Sequence, residues 1–314
     1  MRYGFGIDLG GTTVKIACFD ENGTMLDAWQ IPTRTENGGK NILPDIAAAV
    51  KAYLEAKNID RSLIIGAGLG VPGPVDSKGV VNKCVNLGWG VFNVAQTLSD
   101  LIGFPVKAGN DANVAALGEY WKGGGAGSNS MVMVTLGTGV GGGIVLDGHL
   151  LHGAHGSGGE IGHMVHDKNE SEFCGCGKQG CVEQYCSATG VSTLAKRYLA
   201  AHGEASSLRS LAAPTAKDVF DAAKTGDSAA KNILEQYYDC LGQFLASMCC
   251  VVDPEVVVLG GGVCKAGTVL LDGLRPYFEK YVFHSIRGVK FALAQLENDA
   301  GAYGAFKLAL DAFG

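Results

Sequence analysis

The sequence has no apolar run long enough to cross a bilayer, and its start lacks the basic, apolar and small-residue zones of a secretory leader. A cytoplasmic protein with no membrane association is expected. Lysine and arginine form no run, and the net charge is −6, so the electrostatic footprint that nucleic acid requires is also missing. Anionic ligands must then be held locally. The chain contains neither a GxxxxGK[ST] loop nor a strand–turn–helix dinucleotide fingerprint, so a phosphate site here needs another architecture. With 314 residues, 47% of them hydrophobic and 18% charged, the chain is globular and long enough for about two domains. In a reducing compartment its ten cysteines do not read as a disulfide framework. Cys18, Cys84, Cys240, Cys249, Cys250 and Cys264 are scattered and read as small core hydrophobes, whereas three others crowd into "CGCGKQGC".

The stretches "YGFGIDLG", "VKIACFD" and "TMLDAWQI" form a predicted strand meander, with Asn22-Gly23 as a hairpin signal. "ILPDIAAAVKAYLEAKN" has helical spacing, "SLIIGAGLG" reads as a buried strand, and "PVKAGND" as a strand leading into the helix "ANVAALGEYW". This alternation predicts an α/β fold. "GFGIDLGGTTVKIACFD" (4–20) then recurs in outline as "MVMVTLGTGVGGGIVLD" (131–147), suggesting duplicated lobes that face each other. A third glycine turn, "VVVLGGGV", follows a helical stretch over 227–251; residues 202–216 read as a loop, and "GAYGAFKLALDAF" as an amphipathic helix that packs on the first lobe.

In "DLGGTTVK", Gly10 and Gly11 allow a tight turn whose N–H groups can face an oxyanion, Thr12 and Thr13 add hydroxyls, and Asp8 is placed to hold Mg²⁺ through water. One such hairpin could be structural only. Together, "DLGGTTVK", "TLGTGVGGG" and "VVLGGGV" resemble, in order, the two phosphate turns and the adenosine turn of the sugar kinase, actin and Hsp70 ATPase superfamily. That resemblance implies two ribonuclease H-like lobes around a nucleotide and sugar cleft. It further implies ATP contacts from Asp8, Gly10, Gly11, Thr12, Lys15, Thr138, Gly139, Gly261 and Gly262.

Phosphoryl transfer to a hydroxyl needs a carboxylate that accepts its proton. Asp111, where a strand meets a helix, is the candidate; the same position also suits a helix N-cap. Asn110 can bond a second hydroxyl. Glu160 and Glu183 read either as solvated surface groups or as acceptors for vicinal hydroxyls. Cys174, Cys176, Cys181 and His163 can close a tetrahedral Zn²⁺ site without an open position, with His166 as the competing histidine, and Gly175, Gly177 and Gly180 free the turn.

The segment from "GAHGSGGEIGHM" to "CGCGKQGCVE" resembles the signature of the ROK family within that superfamily. The resemblance implies that Asp111 is the general base, that Asn110, Glu160, His163 and Glu183 bind the sugar, and that His163 is also a ligand of a structural Zn²⁺. Gly158 stands where Ala is usual, and "MVHDKNESEF" is a residue long and lacks a common Gly. Because the chain begins at the phosphate strand, no helix-turn-helix of the repressor members is expected. "NDANVAALGE" and "SATG" resemble the glucose-phosphorylating branch, implying an ATP- and Mg²⁺-dependent hexose 6-phosphotransferase acting on glucose. N-acetylmannosamine or N-acetylglucosamine is the alternative substrate, and a sugar sensor without turnover the alternative class. A small lobe over 1–110 completed by 301–314, a large lobe over 111–300 with a metal segment at 163–183, and a homodimer or homotetramer are expected.

Overall fold

The computed structural model describes all 314 residues. Its first sheet opens with β1 (Tyr3–Leu9), β2 (Thr13–Asp20) and β3 (Met25–Pro32), paired antiparallel. The Asn22-Gly23 turn forms as expected: the Asp20 carboxylate accepts the N–H groups of Asn22 and Thr24 at 3.0 and 2.8 Å, and Gly23 supplies a φ of 81°. An irregular turn, α1 (Glu36–Gly39), and α2 (Ile42–Ala56) lead to β4 (Ile64–Val71). A small pair, β5 (Val80–Val81) and β6 (Phe92–Asn93), precedes α3 (Val94–Ile102), β7 (Val106–Asn110) and α4 (Asp111–Lys122). The strand order is β3-β2-β1-β4-β7, with β4 parallel to both its neighbours. Burial follows position: β4 is almost wholly buried inside the sheet, while β3 at its edge alternates between half-buried and exposed residues.

The second sheet repeats this plan. It opens with β8 (Met131–Leu136), β9 (Val140–Leu146) and β10 (His149–Leu150). A helical stretch follows, with α5 (Glu183–Cys186), α6 (Ala188–Ala201), α7 (Ala216–Lys224) and α8 (Ser228–Val252), before β11 (Val256–Gly260), α9 (Thr268–Tyr281), β12 (Lys290–Leu293) and α10 (Ala300–Phe313). The order β10-β9-β8-β11-β12 matches the first sheet strand for strand, so the repeated hairpin of the sequence does open two equivalent sheets. The stretch 202–216 is a loop with one short helical turn at Ser207–Ser210, and helix resumes at Ala216.

Packing divides the chain into two compact units, one of Met1–Asn129, Gly143–Gly159 and Gln295–Gly314, the other of Ser130–Gly142 and Glu160–Ala294. The sequence placed the first boundary at 110, whereas the first unit runs on to Asn129 because α4 packs along α10. Small residues allow that approach: a Cβ on Gly304 would lie 1.6 Å from the Val114 carbonyl oxygen, and on the sheet side of α10 a Cβ on Gly68 of β4 would lie the same distance from that of Ala305. Glu119 on α4 is fully buried and accepts the N–H groups of Gly124, Gln295 and Leu296, which ties the helix to the segment entering α10. In the second unit, α8 buries Tyr237, whose hydroxyl donates to the Cys186 carbonyl at 3.3 Å. No helix is long and apolar enough to cross a membrane.

Candidate functional site

In the first unit, the turn after β1 is closed by the Gly10 N–H donating to the Thr13 carbonyl at 3.0 Å, and Thr33 Oγ1 donates to the Gly10 carbonyl at 2.7 Å. Gly11, Thr12 and Thr13 are exposed at its tip. Asp8 lies opposite Lys15 in the hairpin register. Burial raises the Asp8 carboxyl above the usual carboxylate range, and Lys15 pulls the other way. A Cβ on Gly301 would sit 2.5 Å from the Asp8 carboxylate, so the start of α10 rests directly on this group. Lys15 Nζ pairs with Asp299 and lies 3.2 Å from the Asn298 carbonyl oxygen, which fastens the hairpin to the same helix end.

Asn110 and Asp111 sit where β7 becomes α4. The cap is Asn110: its Oδ1 accepts the Asn113 N–H at 3.1 Å, while its Nδ2 donates to the Gly73 carbonyl at 3.3 Å. Asp111 is the first helical residue, and its Oδ1 lies 2.8 Å from the Ala112 nitrogen. The capping role that the sequence left open for Asp111 therefore belongs to its neighbour. One Asn110 amide hydrogen remains beyond these bonds.

In the second unit, the turn between β8 and β9 is braced from α6. The Ala188 N–H donates to the Gly137 carbonyl at 2.8 Å and Thr189 Oγ1 to the Thr138 carbonyl at 2.9 Å, leaving Thr138 exposed at the tip. Glu183 reaches the same turn, its Oε2 accepting the Val140 N–H at 3.0 Å. After β11, Gly261 adopts a φ of 87° and a Cβ there would be 2.6 Å from the Leu136 backbone, so only glycine fits. Gly262 opens onto a cavity of about 400 Å³ shared with Val263, Lys265 and, from α7, Lys217, Phe220 and Asp221. The sequence reading missed this α7 wall. Its signal was present: Thr215 and Asp218 form a capping box at the start of α7.

The ligand atoms of His163, Cys174, Cys176 and Cys181 all lie within 4.8 Å of one another. Cys176 and Cys181 sulfurs are 3.6 Å apart, and Cys174 Sγ is 3.8 Å from His163 Nδ1. Ligands at tetrahedral Zn²⁺ bond lengths are separated by about 3.8 Å, so the donor set fits such an ion. Burial pushes the Cys181 thiol up to about 12 and raises that of Cys174, whereas at Cys176 burial is outweighed by the Lys178 N–H and the two neighbouring thiols, which lower it. His166 is outside the cluster; its backbone N–H donates to the Gly180 carbonyl at 2.7 Å and its ring packs on Tyr185. Of the glycines expected to free the turn, Gly177 and Gly180 have positive φ values, and a Cβ on Gly180 would meet the Asp167 carbonyl oxygen at 1.8 Å; Gly175 has neither constraint. With Nδ1 turned to Cys174, His163 directs Nε2 toward Glu160, 3.9 Å away. Glu183 Oε1 lies 3.5 Å from Cys174 Sγ, so the thiol cluster and the turn before β9 meet at one carboxylate.

The chain is similar to known proteins over nearly its whole length. The profile of the ROK family matches residues 4–312. A protein named glucokinase from Halalkalibacterium halodurans is 41% identical over 308 residues, covering 96% of this chain and 93% of that one. A glucokinase from Thermotoga maritima is 34% identical over 315 residues, covering 98% of each. The crystal structure of a ROK family glucokinase from Streptomyces griseus in complex with glucose and AMPPNP aligns with a TM-score of 0.74 at 32% identity, over 98% of this chain and 99% of that one.

Proposed function

The chain belongs to the ROK family, and from that membership and the site's geometry we propose that it transfers the terminal phosphoryl group of ATP to the 6-hydroxyl of glucose. The observation that carries this reading is the division of labour at the start of α4. Asn110 caps the helix, and Asp111 beside it, the first helical residue, is the carboxylate we assign as acceptor of the hydroxyl proton. As that proton passes to Asp111, the 6-oxygen forms its bond to the γ-phosphorus, the bond from phosphorus to the bridging oxygen breaks, and ADP leaves.

The remaining roles follow from the groups each unit presents. Asn110, Glu160, His163 Nε2 and Glu183 hold the other sugar hydroxyls; a carboxylate has lone pairs enough for Glu183 to keep its Val140 bond as well. The turns at Gly10, Gly11 and Thr12 and at Thr138 and Gly139 take the phosphates, with Lys15 lending positive charge. The cavity beside Gly261 and Gly262 suits the adenine nucleoside. Asp8 would hold the Mg²⁺ that neutralises the phosphate charge. Zn²⁺ at His163, Cys174, Cys176 and Cys181 would serve as a structural ion, because four protein ligands leave no position open for substrate.

A kinase assay over a panel of hexoses tests the proposal. The highest kcat/KM is expected for glucose with ATP and Mg²⁺. Preference for N-acetylmannosamine or N-acetylglucosamine would replace the substrate, and sugar binding without turnover would make the protein a sensor.

A further inference from the structure

The ligands His163 and Cys174 fasten only the ends of the loop 164–173. Its middle is held by the backbone N–H groups of His166 and Asp167 on the Gly180 carbonyl, by the Gln179 and Gln184 side chains on the Ser171 and Glu172 carbonyls, and by one buried carboxylate. The Glu170 side chain is 4% exposed, and its two oxygens receive Arg197 Nη1 and Nη2 at 2.8 and 3.1 Å. Tyr185 donates its hydroxyl at 2.7 Å, and the Glu172 N–H adds a fourth bond at 2.9 Å. Arg197 lies on α6, the helix that braces the turn at Thr138. Tyr185 lies on α5, two residues beyond Glu183. A cavity of about 220 Å³ lined by Thr138, Cys174, Glu183 and Arg197 places the loop, the phosphate turn and both helices around one space.

The Arg197 side of the pair is 41% exposed, but the carboxylate side is enclosed and held at both oxygens, which sets it apart from an ordinary surface ion pair. If Arg197 were removed, Glu170 would keep only its Tyr185 and Glu172 bonds and lose its countercharge, which favours an outward shift of the loop toward water. That movement would pull on Cys174 and, through it, on the Glu183 carboxylate and on His163. We propose that Glu170 and Arg197 form a second, metal-independent anchor of the loop, positioning His163 and Glu183 for the sugar. The sugar-binding part of this inference rests on the function proposed above; the anchoring of the loop does not. Glu170 is a positioning residue and touches no substrate.

The test compares the full-length Arg197→Met variant, and the neutral double variant Glu170→Gln/Arg197→Met, with the wild type in four measurements. These are zinc content, tryptic cleavage after Lys168, glucose KM against kcat, and ATP KM. Arg197→Met should keep wild-type zinc, be cut faster after Lys168, and raise glucose KM by about tenfold, within the range for groups that orient binding side chains. Its kcat and ATP KM should change by less than about threefold. The double variant, which buries no unpaired charge, should recover part of the glucose affinity and of the resistance to trypsin. Loss of zinc from Arg197→Met would overturn the independence of the two anchors. Unchanged glucose KM with only a lower melting temperature would overturn the positioning role. If the wild type itself fails to phosphorylate glucose, the functional reading falls, while cleavage and zinc content still decide whether the anchor exists.

Discussion

The side-chain oxygen of Asn110 accepts the backbone N–H of Asn113 and so caps α4, leaving the adjacent Asp111 as the first residue of the helix. The cap is thereby Asn110, and the proposed chemistry falls on its neighbour. Asn110→Ala should lower stability by about 1 kcal/mol, the usual cost of losing an N-cap. Asp111→Asn leaves the cap in place and should cost less. Chemical denaturation of both variants checks this ranking; a larger loss in Asp111→Asn would return the structural role to Asp111.

A second expectation concerns the metal cluster. Cys176→Ser should lose zinc, weaken glucose binding strongly and lower the melting temperature, because folding and metal binding are coupled through the ligands. ATP binding should change much less, since the cavity at Gly262 is built from α7 and the segment after β11. Metal analysis beside separate glucose and ATP titrations measures this. A variant that binds glucose normally without zinc would reduce the ion to a fold staple.

Gly261 offers a probe of the nucleotide side. Alanine there must adopt a φ of 87° and find room 2.6 Å from the Leu136 backbone. Gly261→Ala should therefore displace the turn and raise ATP KM by about tenfold or more, with glucose binding retained. An unaltered ATP KM would remove this turn from the nucleotide site.

The Glu170 anchor also predicts a pH dependence. Hydrogen bonds from Arg197, then the Glu172 N–H and the Tyr185 hydroxyl, hold this carboxyl at about 2 against an ordinary 4.5. A carboxyl depressed in the folded state adds stability that is complete above its unfolded value and fades as pH falls through the folded one. The stability gap between wild type and Glu170→Gln should thus be full above a pH of about 5 and close toward a pH of about 2. Urea melts across that range test the sign; a gap that widens in acid would contradict it.

How much of this was legible in the sequence depends on the range of each interaction. The Asn22-Gly23 turn, the two glycine hairpins and the cysteine cluster are local patterns, and each appears where the residues put it. The two equivalent sheets followed from recognising one hairpin twice, whereas the ribonuclease H-like plan came from the resemblance of the three glycine turns to the ATPase superfamily. By contrast, the wall that α7 gives the cavity was lost behind a Ser- and Ala-rich loop, although its Thr215 capping box was readable. Glu119 and Glu170 could not have been singled out. Their partners lie far along the chain, as with Leu296 and Arg197, and nothing near either glutamate signals that the fold will bury it.

Phosphorylation of glucose and the role of Asp111 as its base can be read in a single experiment. The most direct measurement is the rate of glucose 6-phosphate formation from ATP and glucose by wild type and by Asp111→Asn, with glucose affinity of both determined by titration. Glucose 6-phosphate is expected from the wild type, with turnover lower by roughly 10²–10⁴-fold in the variant and glucose binding largely kept. Near-normal turnover by Asp111→Asn would contradict the assignment of the base, and the absence of glucose 6-phosphate from the wild-type reaction would contradict the function itself.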